Sequence, residues 1–567
     1  PPRSTLFPYT TLFRSLFASI LMFSKFYYDE GKFFISYNSY SDFLSHLPLI
    51  RSFSLGENMP PEFPYFPGEP IKYHFFFYFL VGLLEKIGLR IDLALNLLSI
   101  LGLAGLLIIV FLLARKLSKS YFVAFTSGLL IILNSSLSWI YYFFIGEHKV
   151  NGIKGLLQTT ELAAFGPYND SIISAFWNLN IYVSQRHLAL AMALTFLAIW
   201  FIVYKNGYKF FIAAVIIIGF MSWMHKAMLL LLFLSLGIFF VAQPLLRKKL
   251  LLAVIIGIIA ASPGLIYLSQ SNISDASFLN FSPGFLYQST SWWEMSNIDS
   301  GFMKWLVYWV MNVGTIPLLA ISGYAVIALD FKNKNGLTKF ERLWEKLVNE
   351  KTVWFYIATT SFVLANTFSF GKDIANNHKL INFALIIWGI YAFIFLKQIL
   401  LNFKSKLKYL LVSVLLLITF AGGVCDLFPV FNDANFPVTD YFGTEKGLWV
   451  AENSEPGDIF LNICEDNTFV LLAGRKVFWG GRYFNWSLGY SQDIRDGQIM
   501  TIVGSEYDQD ELCKIINDNN IKYVYFNIQE QKLFDLDIQT DKFIEKYGEG
   551  LMLNEDVRMY YSKEICN

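Results

Sequence analysis

The sequence is short of charge. Only 16% of its 567 residues are charged, whereas 55% are hydrophobic; an ordinary soluble protein has about 25% charged residues. A globule this apolar would expose adhesive surface to water, so the composition excludes an ordinary soluble protein and predicts that much of the chain lies in lipid. The net charge of +1 also excludes the strongly basic surface with which proteins bind nucleic acid.

Cysteines and the signatures of familiar enzyme chemistry are also scarce or missing. No GxSxG, HExxH or P-loop pattern occurs, and the glycines of Ala473–Arg482 (AGRKVFWGGR) match no phosphate-binding loop. The cysteines follow the last long apolar run without CxxC spacing, and the sequence does not pair them, although two can form a disulfide if this region is exported. They are Cys425, Cys464, Cys513 and Cys566.

The first residues resemble a sequencing artefact. Thr5–Ser15 reads TLFPYTTLFRS, the in-frame translation of a common short-read adapter. We therefore expect residues 1–15 to be foreign, the native sequence to begin near Leu16, and the first helix to be cut short.

Long apolar runs fill most of the chain as far as residue 425. A bilayer core about 30 Å thick needs roughly 20 apolar residues in a helix. The runs therefore predict a mainly α protein, a polytopic transmembrane helical bundle of about eleven spans over 16–425. The predicted spans are 16–28, 93–114, 121–144, 187–204, 209–224, 226–245, 249–268, 303–329, 353–369, 379–397 and 407–424.

Basic residues predict the orientation of these spans. Five short basic loops, each two spans from the next, belong to the cytoplasmic side of a prokaryotic plasma membrane. The N-terminus is then cytoplasmic, and the first loop (29–92) and the region 426–567 lie outside. Segment 73–89 must enter and leave on the same face, which predicts a helix at the membrane interface. The basic loops lie at 115–119, 205–209, 247–249, 332–351 and 397–408.

The composition changes abruptly after Asp426. Residues 426–567 contain no span and predict a small extracytoplasmic α/β domain of ordinary size. Asp508–Asn520 predicts an amphipathic helix, with Leu512, Ile515 and Ile516 on one face. The predicted strands are 459–463, 469–472, 476–479, 522–528 and 557–561.

Ionisable residues on the outer side are the candidate site. In the first loop Asp42 and His46 are four residues apart, so they share a face if the segment is helical. Four prolines between Pro60 and Pro67 forbid a regular helix and predict a rigid loop, the kind of segment that carries binding residues. The cations on this side suit a lipid-linked phosphate or an ordinary anionic headgroup, and the sequence does not distinguish the two. The candidate phosphate-binding residues are Arg51, Arg186, His225, Lys226, Lys372, His378 and Lys379; the secondary acidic candidates are Glu57, Glu147 and Asp170.

Three segments carry a family resemblance. They are Asp42–His74 (DFLSHLPLIRSFSLGENMPPEFPYFPGEPIKYH) and two C-terminal segments, AGRKVFWGGRYFNWSLGY and IKYVYFN. They resemble a poorly characterised group of bacterial and archaeal membrane proteins, the YYY-type proteins, whose corresponding stretch ends in tyrosines where this chain has Tyr73-His74. That group is similar to the GT-C superfamily of glycosyltransferases, and the resemblance covers most of the chain loosely.

The resemblance implies an inverting enzyme that takes a sugar from a polyprenyl-phosphate donor on the outer face. By position, Asp42 would be the acidic residue of the first outer loop, acting as a general base on the acceptor hydroxyl or orienting acceptor or metal. His74 would assist it, and Glu147 or Asp170 would supply a second acid. A divalent cation fits such a site, but the sequence requires no cofactor. Two alternatives stay open: a transporter or flippase of lipid-linked saccharide, and a non-catalytic membrane assembly protein.

Overall fold

The structure is a computed structural model. It describes residues 6–145, 150–160, 177–269, 279–284, 301–329, 344, 347–371, 374–462, 467–503, 508–527, 532–533, 536–537, 540–553 and 556–566. The chain divides into two units, and each is described by itself. The helical unit comprises Pro1–Ser24, Leu98–Gly264 and Phe278–Ala434; the mixed unit comprises Lys25–Leu97, Leu265–Ser277 and Asn435–Asn567.

Helices dominate the described residues. They are α1 Leu6–Lys25, α2 Tyr40–Ser54, α3 Phe76–Lys86, α4 Ile91–Ser118, α5 Tyr121–Ile132, α6 Ser138–Ile140, α7 Gly152–Gln158, α8 Asn180–Ser184, α9 Arg186–Tyr204, α10 Tyr208–Met224, α11 Lys226–Ala242, α12 Arg247–Ser269, α13 Gly301–Val313, α14 Ile316–Leu329, α15 Val353–Thr367, α16 His378–Asn402, α17 Leu407–Asn432, α18 Glu445–Asn453, α19 Thr468–Leu472, α20 Arg482–Leu488, α21 Gln492–Val503, α22 Gln509–Asp518, α23 Thr540–Tyr547 and α24 Ser562–Ile565.

The strands are shorter. They are β1 Phe26–Asp29, β2 Lys32–Ser36, β3 Glu62–Phe63, β4 Phe66–Pro70, β5 Leu279–Phe281, β6 Phe368–Phe370, β7 Asn435–Thr439, β8 Ile459–Asn462, β9 Lys476–Val477, β10 Ile521–Asn527, β11 Lys532–Leu533, β12 Leu536–Asp537, β13 Leu551–Met552 and β14 Val557–Tyr561.

Several helices of the chain have the length and composition of membrane spans. Among the described residues, five helices are long and apolar enough to cross a bilayer, and a bent pair would make a sixth. The helices α5, α10 and α11 are apolar but shorter. The prediction of a mainly helical protein with several apolar helices is therefore confirmed. The predicted number of eleven spans stays a prediction. The five long helices are α4, α9, the segment Pro244–Ser269 that contains α12, α16 and α17.

Two predicted spans are interrupted. The run 303–329 forms two helices, α13 and α14, which meet at 83°, and its assignment as one span stays a prediction. Gly314 lies at the bend with a φ of +57°, and a Cβ at this position would collide with the carbonyl oxygen of Ser135; only glycine fits both demands. The run 121–144 is interrupted as well, because α5 ends at Ile132 and the chain is irregular over 133–137.

The ends of the predicted helical region differ from the sequence prediction. Helix α1 begins at Leu6, inside the segment that resembles an adapter, and ends at Lys25, because the next residues form β1. Helix α17 runs on to Asn432, past the predicted end at 424, and β7 follows it. Segment 73–89 contains only α3, whose 11 residues are fewer than a span needs. Its place at a membrane interface stays a prediction.

The first loop and the C-terminal region fold together in the mixed unit. Strand β2 pairs antiparallel with both β1 and β7, with Phe34 opposite Pro437. Because β2 belongs to the first loop and β7 to the C-terminal region, the two segments lie beside each other, as the prediction that both are on one side of a bilayer requires.

The segments that carry the resemblance are also neighbours. The amide of Val477 donates to the carbonyl of Pro64 at 2.9 Å, and Lys476 pairs with Glu62 at 2.7 Å. Arg495 donates to the carbonyl of Pro67 at 2.6 Å. The Pro-rich loop is therefore a folded segment with fixed partners.

A five-stranded mixed sheet completes the C-terminal region, in the order β13-β14-β10-β8-β9. Its strands β8, β10 and β14 and the helix α22 occupy predicted positions. The predicted strand 469–472 is wrong: it belongs to helix α19, because a run as short as FVLL has no period that separates strand from helix. A disulfide joins Cys513 to Cys566, and Cys425 is buried and free.

Candidate functional site

In the mixed unit, helix α2 places Asp42 and His46 on one face, as their spacing predicts. Asp42 lies half-buried in the first turn, and the buried His46 ring stacks on Tyr78 at 4.4 Å. The rings of Tyr73 and His74 are 3.7 Å apart, and Tyr73 lies 6.4 Å from His46. These four rings are called the aromatic cluster below.

Asp42 acts electrostatically on this cluster. Burial and, after it, the negative charge of Asp42 raise the pKa of Tyr73 well above its ordinary value, because both disfavour a phenolate. The Tyr73 hydroxyl is therefore protonated at neutral pH. The structure brings together Asp42 and the two histidines that the sequence singled out in this loop, with tyrosine hydroxyls that the sequence prediction missed.

Arg51 belongs to a buried ion-pair network. Its guanidinium lies 2.9 Å from Glu85 Oε1 and 2.6 Å from Asp440 Oδ2. Ser54 donates to the other oxygen of Glu85 at 2.6 Å, and the amide of Tyr441 donates to Asp440 at 2.8 Å. One cation thus joins α2, α3 and the chain after β7. Two carboxylates of the fold therefore take up the charge of Arg51, and its role as a phosphate-binding residue stays a prediction.

The acidic residues of the Pro-rich loop do not gather at one point. Glu57 has a side chain that is 69% exposed and lies 3.7 Å from Lys86. Glu62 pairs with Lys476, and Glu69 pairs with Lys72 at 3.0 Å. Each carboxylate has its own cation, so this loop offers no shared oxygen cage for a metal.

In the helical unit, basic side chains gather at the beginnings of helices. Arg186 is the first residue of α9 and is 1% exposed; its Nε donates to the carbonyl of Val183 at 2.7 Å and an Nη donates to the carbonyl of Met22 at 3.4 Å. His187 follows it, and its ring lies 5.4 Å from the ring of His225. Both histidines are fully buried.

His225 occupies the break between α10 and α11. Its backbone is extended, and its Nδ1 accepts from the amide of Met228 at 3.4 Å, which caps α11. Lys226 is half-buried and begins α11. A capping side chain at this position satisfies an amide that has no partner inside the helix, so the tight break predicted between the two short helices is confirmed.

The N-terminal end of α16 supplies two further basic side chains. His378 and Lys379 are buried there, and the Nζ of Lys379 donates to Asn376 at 3.0 Å. The charge of Lys379 acts on the rings of His225 and His378. Five side chains thus form what we call the basic cluster; they are Arg186, His187, His225, His378 and Lys379.

The basic cluster favours an anion. It combines two buried cations, Arg186 and Lys379, and three buried imidazoles with the N-terminal ends of α9, α11 and α16. Each helix N-terminus carries about half a positive charge. Phosphate oxygens are the ligands that such an arrangement holds best. Four of the seven predicted cations belong to this region of the helical unit, and Lys226 is adjacent in sequence. Lys372, Glu147 and Asp170 lie outside the described residues.

Sequence reasoning missed a second polar region in the helical unit. A small cavity is lined on its polar side by Asn134, Ser135, Trp177, Tyr182, Asn312 and Asn382, and Asn382 lies 3.3 Å from the His378 ring. Asp426, on α17, accepts from Asn134 at 2.6 Å. The available signal was the polar segment NSSLS (134–138) inside an apolar run.

No protein-family model and no curated protein matches the chain. Solved structures do align with it. The archaeal oligosaccharyltransferase AglB from Archaeoglobus fulgidus, in complex with an inhibitory peptide and a dolichol-phosphate, aligns at 11% identity and a TM-score of 0.46 over 93% of this chain and 70% of that chain.

ArnT from Cupriavidus metallidurans aligns in two states. The apo state gives 12% identity and a TM-score of 0.48, and the state bound to undecaprenyl phosphate gives 12% and 0.46; each covers 99% of this chain and 98% of that chain. AglB and ArnT are GT-C glycosyltransferases. All three TM-scores lie below 0.5, so these alignments do not indicate the function of this chain.

Proposed function

We propose that the chain is a GT-C-type membrane glycosyltransferase. It transfers a sugar from a polyprenyl-phosphate-linked donor to an acceptor on the outer face of a prokaryotic plasma membrane. The observation that carries the proposal is the basic cluster: two cations, three imidazoles and three helix N-termini, buried together in a unit of apolar helices. A ligand suited to it is anionic at one end and apolar along the rest of its length, which describes a polyprenyl phosphate.

The proposed chemistry is inversion at the anomeric carbon. The acceptor hydroxyl attacks this carbon, the bond from the carbon to the phosphate oxygen breaks, and polyprenyl phosphate leaves. Asp42 takes the hydroxyl proton as general base, with His74 beside the Tyr73 ring assisting it. Arg186, Lys226 and Lys379, with His225 and His378, hold the phosphate as negative charge develops on it. Lys372 is a further candidate for this role, and Glu147 or Asp170 for a second acid.

Binding of the phosphate tests the first half of the proposal. We expect the full chain in nanodiscs to bind undecaprenyl phosphate at least tenfold more tightly than undecaprenol, as measured by native mass spectrometry. Lys379→Gln should remove this preference. The matched control is Lys116→Gln, because Lys116 is a half-exposed lysine of the same unit that pairs with Glu350 at 3.8 Å. Equal binding of the phosphate and the alcohol would exclude a phosphate site.

Turnover tests the second half. Supplied with a panel of polyprenyl-phosphate sugars and acceptors, the chain should release polyprenyl phosphate. Asp42→Asn and Arg186→Ala should each abolish transfer, and Asp42→Asn should keep the lipid binding. Full turnover in Asp42→Asn removes the base assignment.

One observation favours a flippase as the second candidate. Transporters bind their substrates between discontinuous membrane helices, and the pair α13–α14 is bent by 83°. A flippase would move a fluorescent lipid-linked saccharide across proteoliposomes and would do so equally well in Asp42→Asn. A glycosyltransferase would not move this lipid across the membrane.

A further inference from the structure

Two interrupted helices of the helical unit meet each other. The chain is irregular over 133–137, between α5 and α6, and it bends between α13 and α14. Ser135 Oγ donates to the carbonyl of Val313 at 2.7 Å, and the amide of Leu137 donates to the carbonyl of Met311 at 2.8 Å. Non-helical backbone at membrane depth occurs where protein or a polar cavity satisfies it. This junction is therefore an ordered polar region whose backbone groups are hydrogen-bonded across the two breaks.

Asp426 of α17 faces this junction. It is 2% exposed, and its Oδ2 accepts from Asn134 at 2.6 Å and from Asn178 at 3.4 Å. The Ser138 hydroxyl also lies beside the carboxylate. Its Oδ1 is buried and has no hydrogen-bond partner among the residues that the structure describes. An ionisable residue buried in a membrane bundle is costly and marks a functional site.

Two glycines bring further oxygens to the same place. A Cβ at Gly422 would collide with the carbonyl oxygen of Ser136 and would lie 2.8 Å from the hydroxyls of Ser136 and Ser138. Gly423 also lies close to the backbone of Leu133, because a Cβ added at Gly423 would be 2.5 Å from the Cα of Leu133. Because Gly422 precedes Asp426 by four residues, both lie on one face of α17. Carbonyl, hydroxyl and carboxylate oxygens thus line one face of a helix.

We propose that this junction binds a monovalent cation, Na⁺, between the Asp426 carboxylate and the oxygens of Ser136 and Ser138. Hard cations take oxygen ligands of these three kinds. Among the residues that the structure describes, the junction holds one carboxylate and otherwise neutral oxygens, which balances a single positive charge. A divalent ion would leave a net charge buried among apolar helices. Unwound backbone between helix halves is where membrane proteins place the carbonyls that bind Na⁺. Asn134, which donates to Asp426, also lines the neighbouring cavity.

The test uses the full chain in nanodiscs at constant ionic strength. A ligand that binds only the folded state raises the melting temperature in a saturable way. We expect NaCl to raise it by several degrees relative to choline chloride, and Asp426→Asn to abolish this difference. Asp433→Asn, which alters the next carboxylate along the chain, should keep it.

A second variant covers the case in which Asp426→Asn does not yield monodisperse protein. Ser136→Ala removes one hydroxyl ligand and should raise the Na⁺ concentration for half of the effect at least tenfold, in melting and in ²²Na⁺ binding. An identical melting temperature in the two salts for the unaltered chain overturns the proposal, as does an unchanged Na⁺ response in Ser136→Ala. A melting temperature that rises at low pH but does not respond to Na⁺ would mean that Asp426 binds a proton in place of Na⁺. This result would likewise overturn the proposal.

Discussion

Two pairs of buried cations, one pair in each unit of the molecule, are held by different kinds of partner. In the mixed unit, Arg51 lies between Glu85 and Asp440, and Lys476 pairs with Glu62. In the helical unit, Arg186 donates to backbone carbonyls and Lys379 donates to an amide oxygen. Carboxylates cancel the charge of the cations that they hold, whereas neutral oxygens orient a cation and leave its positive potential in place.

This difference separates charges that build the fold from charges that can meet a ligand. Removing one member of a buried ion pair leaves the other charge buried and unpaired, which destabilises the fold. Removing a cation held by neutral oxygens should change the affinity for an anion more than it changes stability. Stability and binding measurements on the two kinds of residue therefore test the comparison directly.

The largest expected effect is at Arg51. Arg51→Met removes the cation between two buried carboxylates, and we expect it to destabilise the mixed unit by about 3–5 kcal/mol. Denaturant unfolding of the full chain, with proteolytic cleavage of the mixed unit as the readout, measures this loss. The control is Lys86→Met, in a pair whose side chains are 50% and 69% exposed, where the loss should stay below about 1 kcal/mol. A loss at Arg51 no larger than the loss at Lys86 would show that the buried ion pairs stabilise the mixed unit no more than an exposed pair does.

A smaller effect is expected at a helix contact of the helical unit, where backbones touch without charge. Gly323 on α14 faces Tyr391 on α16, and a Cβ at Gly323 would collide with the backbone carbonyl of Tyr391. We expect Gly323→Ala to destabilise this unit by about 1–3 kcal/mol, since close-packed helices tolerate added volume poorly. Thermal unfolding in nanodiscs measures the change.

The matched control is Gly237 on α11, where an added Cβ would have no atom within 4 Å. Gly237→Ala should be neutral or stabilising, because alanine favours a helix more than glycine does. Equal melting temperatures for the two variants would contradict the packing argument.

Local sequence predicted the parts of the fold that composition determines. The apolar runs behind α4, α9 and α16 are helices because no other structure satisfies the backbone of such runs in lipid. The shared face of Asp42 and His46 also followed from spacing alone. The break at His225 was visible as a short polar segment in a long apolar run.

Distant contacts were beyond such reasoning. Arg51 looked like a free loop cation because its partner Asp440 lies 389 residues away along the chain. The pairing of β2 with β7 is equally remote, so the first loop and the C-terminal region looked like separate parts. For the site, the basic loops predicted which cations share a side, and the structure brings Arg186, His225, His378 and Lys379 together. Asp426 was missed because it was taken as the start of a soluble domain.

The smallest expected effect concerns pH and the network around Arg51. Burial, opposed by the charge of Arg51 and supported by that of Glu85, raises the pKa of Asp440 to about 6, whereas an unfolded aspartate has a pKa of about 3.9. The folded chain therefore binds this proton more tightly than the unfolded chain. The contribution of this proton to the stability of the folded chain is complete below about pH 4 and is lost as the pH rises through about 6. Burial also raises the pKa of Glu85, which acts in the same direction.

We therefore expect amide hydrogen exchange in β2 and β7, corrected for the intrinsic rate, to be severalfold slower at pH 5 than at pH 7.5. Exchange reports local opening of the sheet that this network supports. Asp440→Asn should flatten the dependence, and peptides from α16 in the helical unit should not follow it. Faster corrected exchange at pH 5 than at pH 7.5 would mean that protonation of Asp440 weakens its ion pair with Arg51 and loosens the sheet, which would contradict the raised pKa of Asp440.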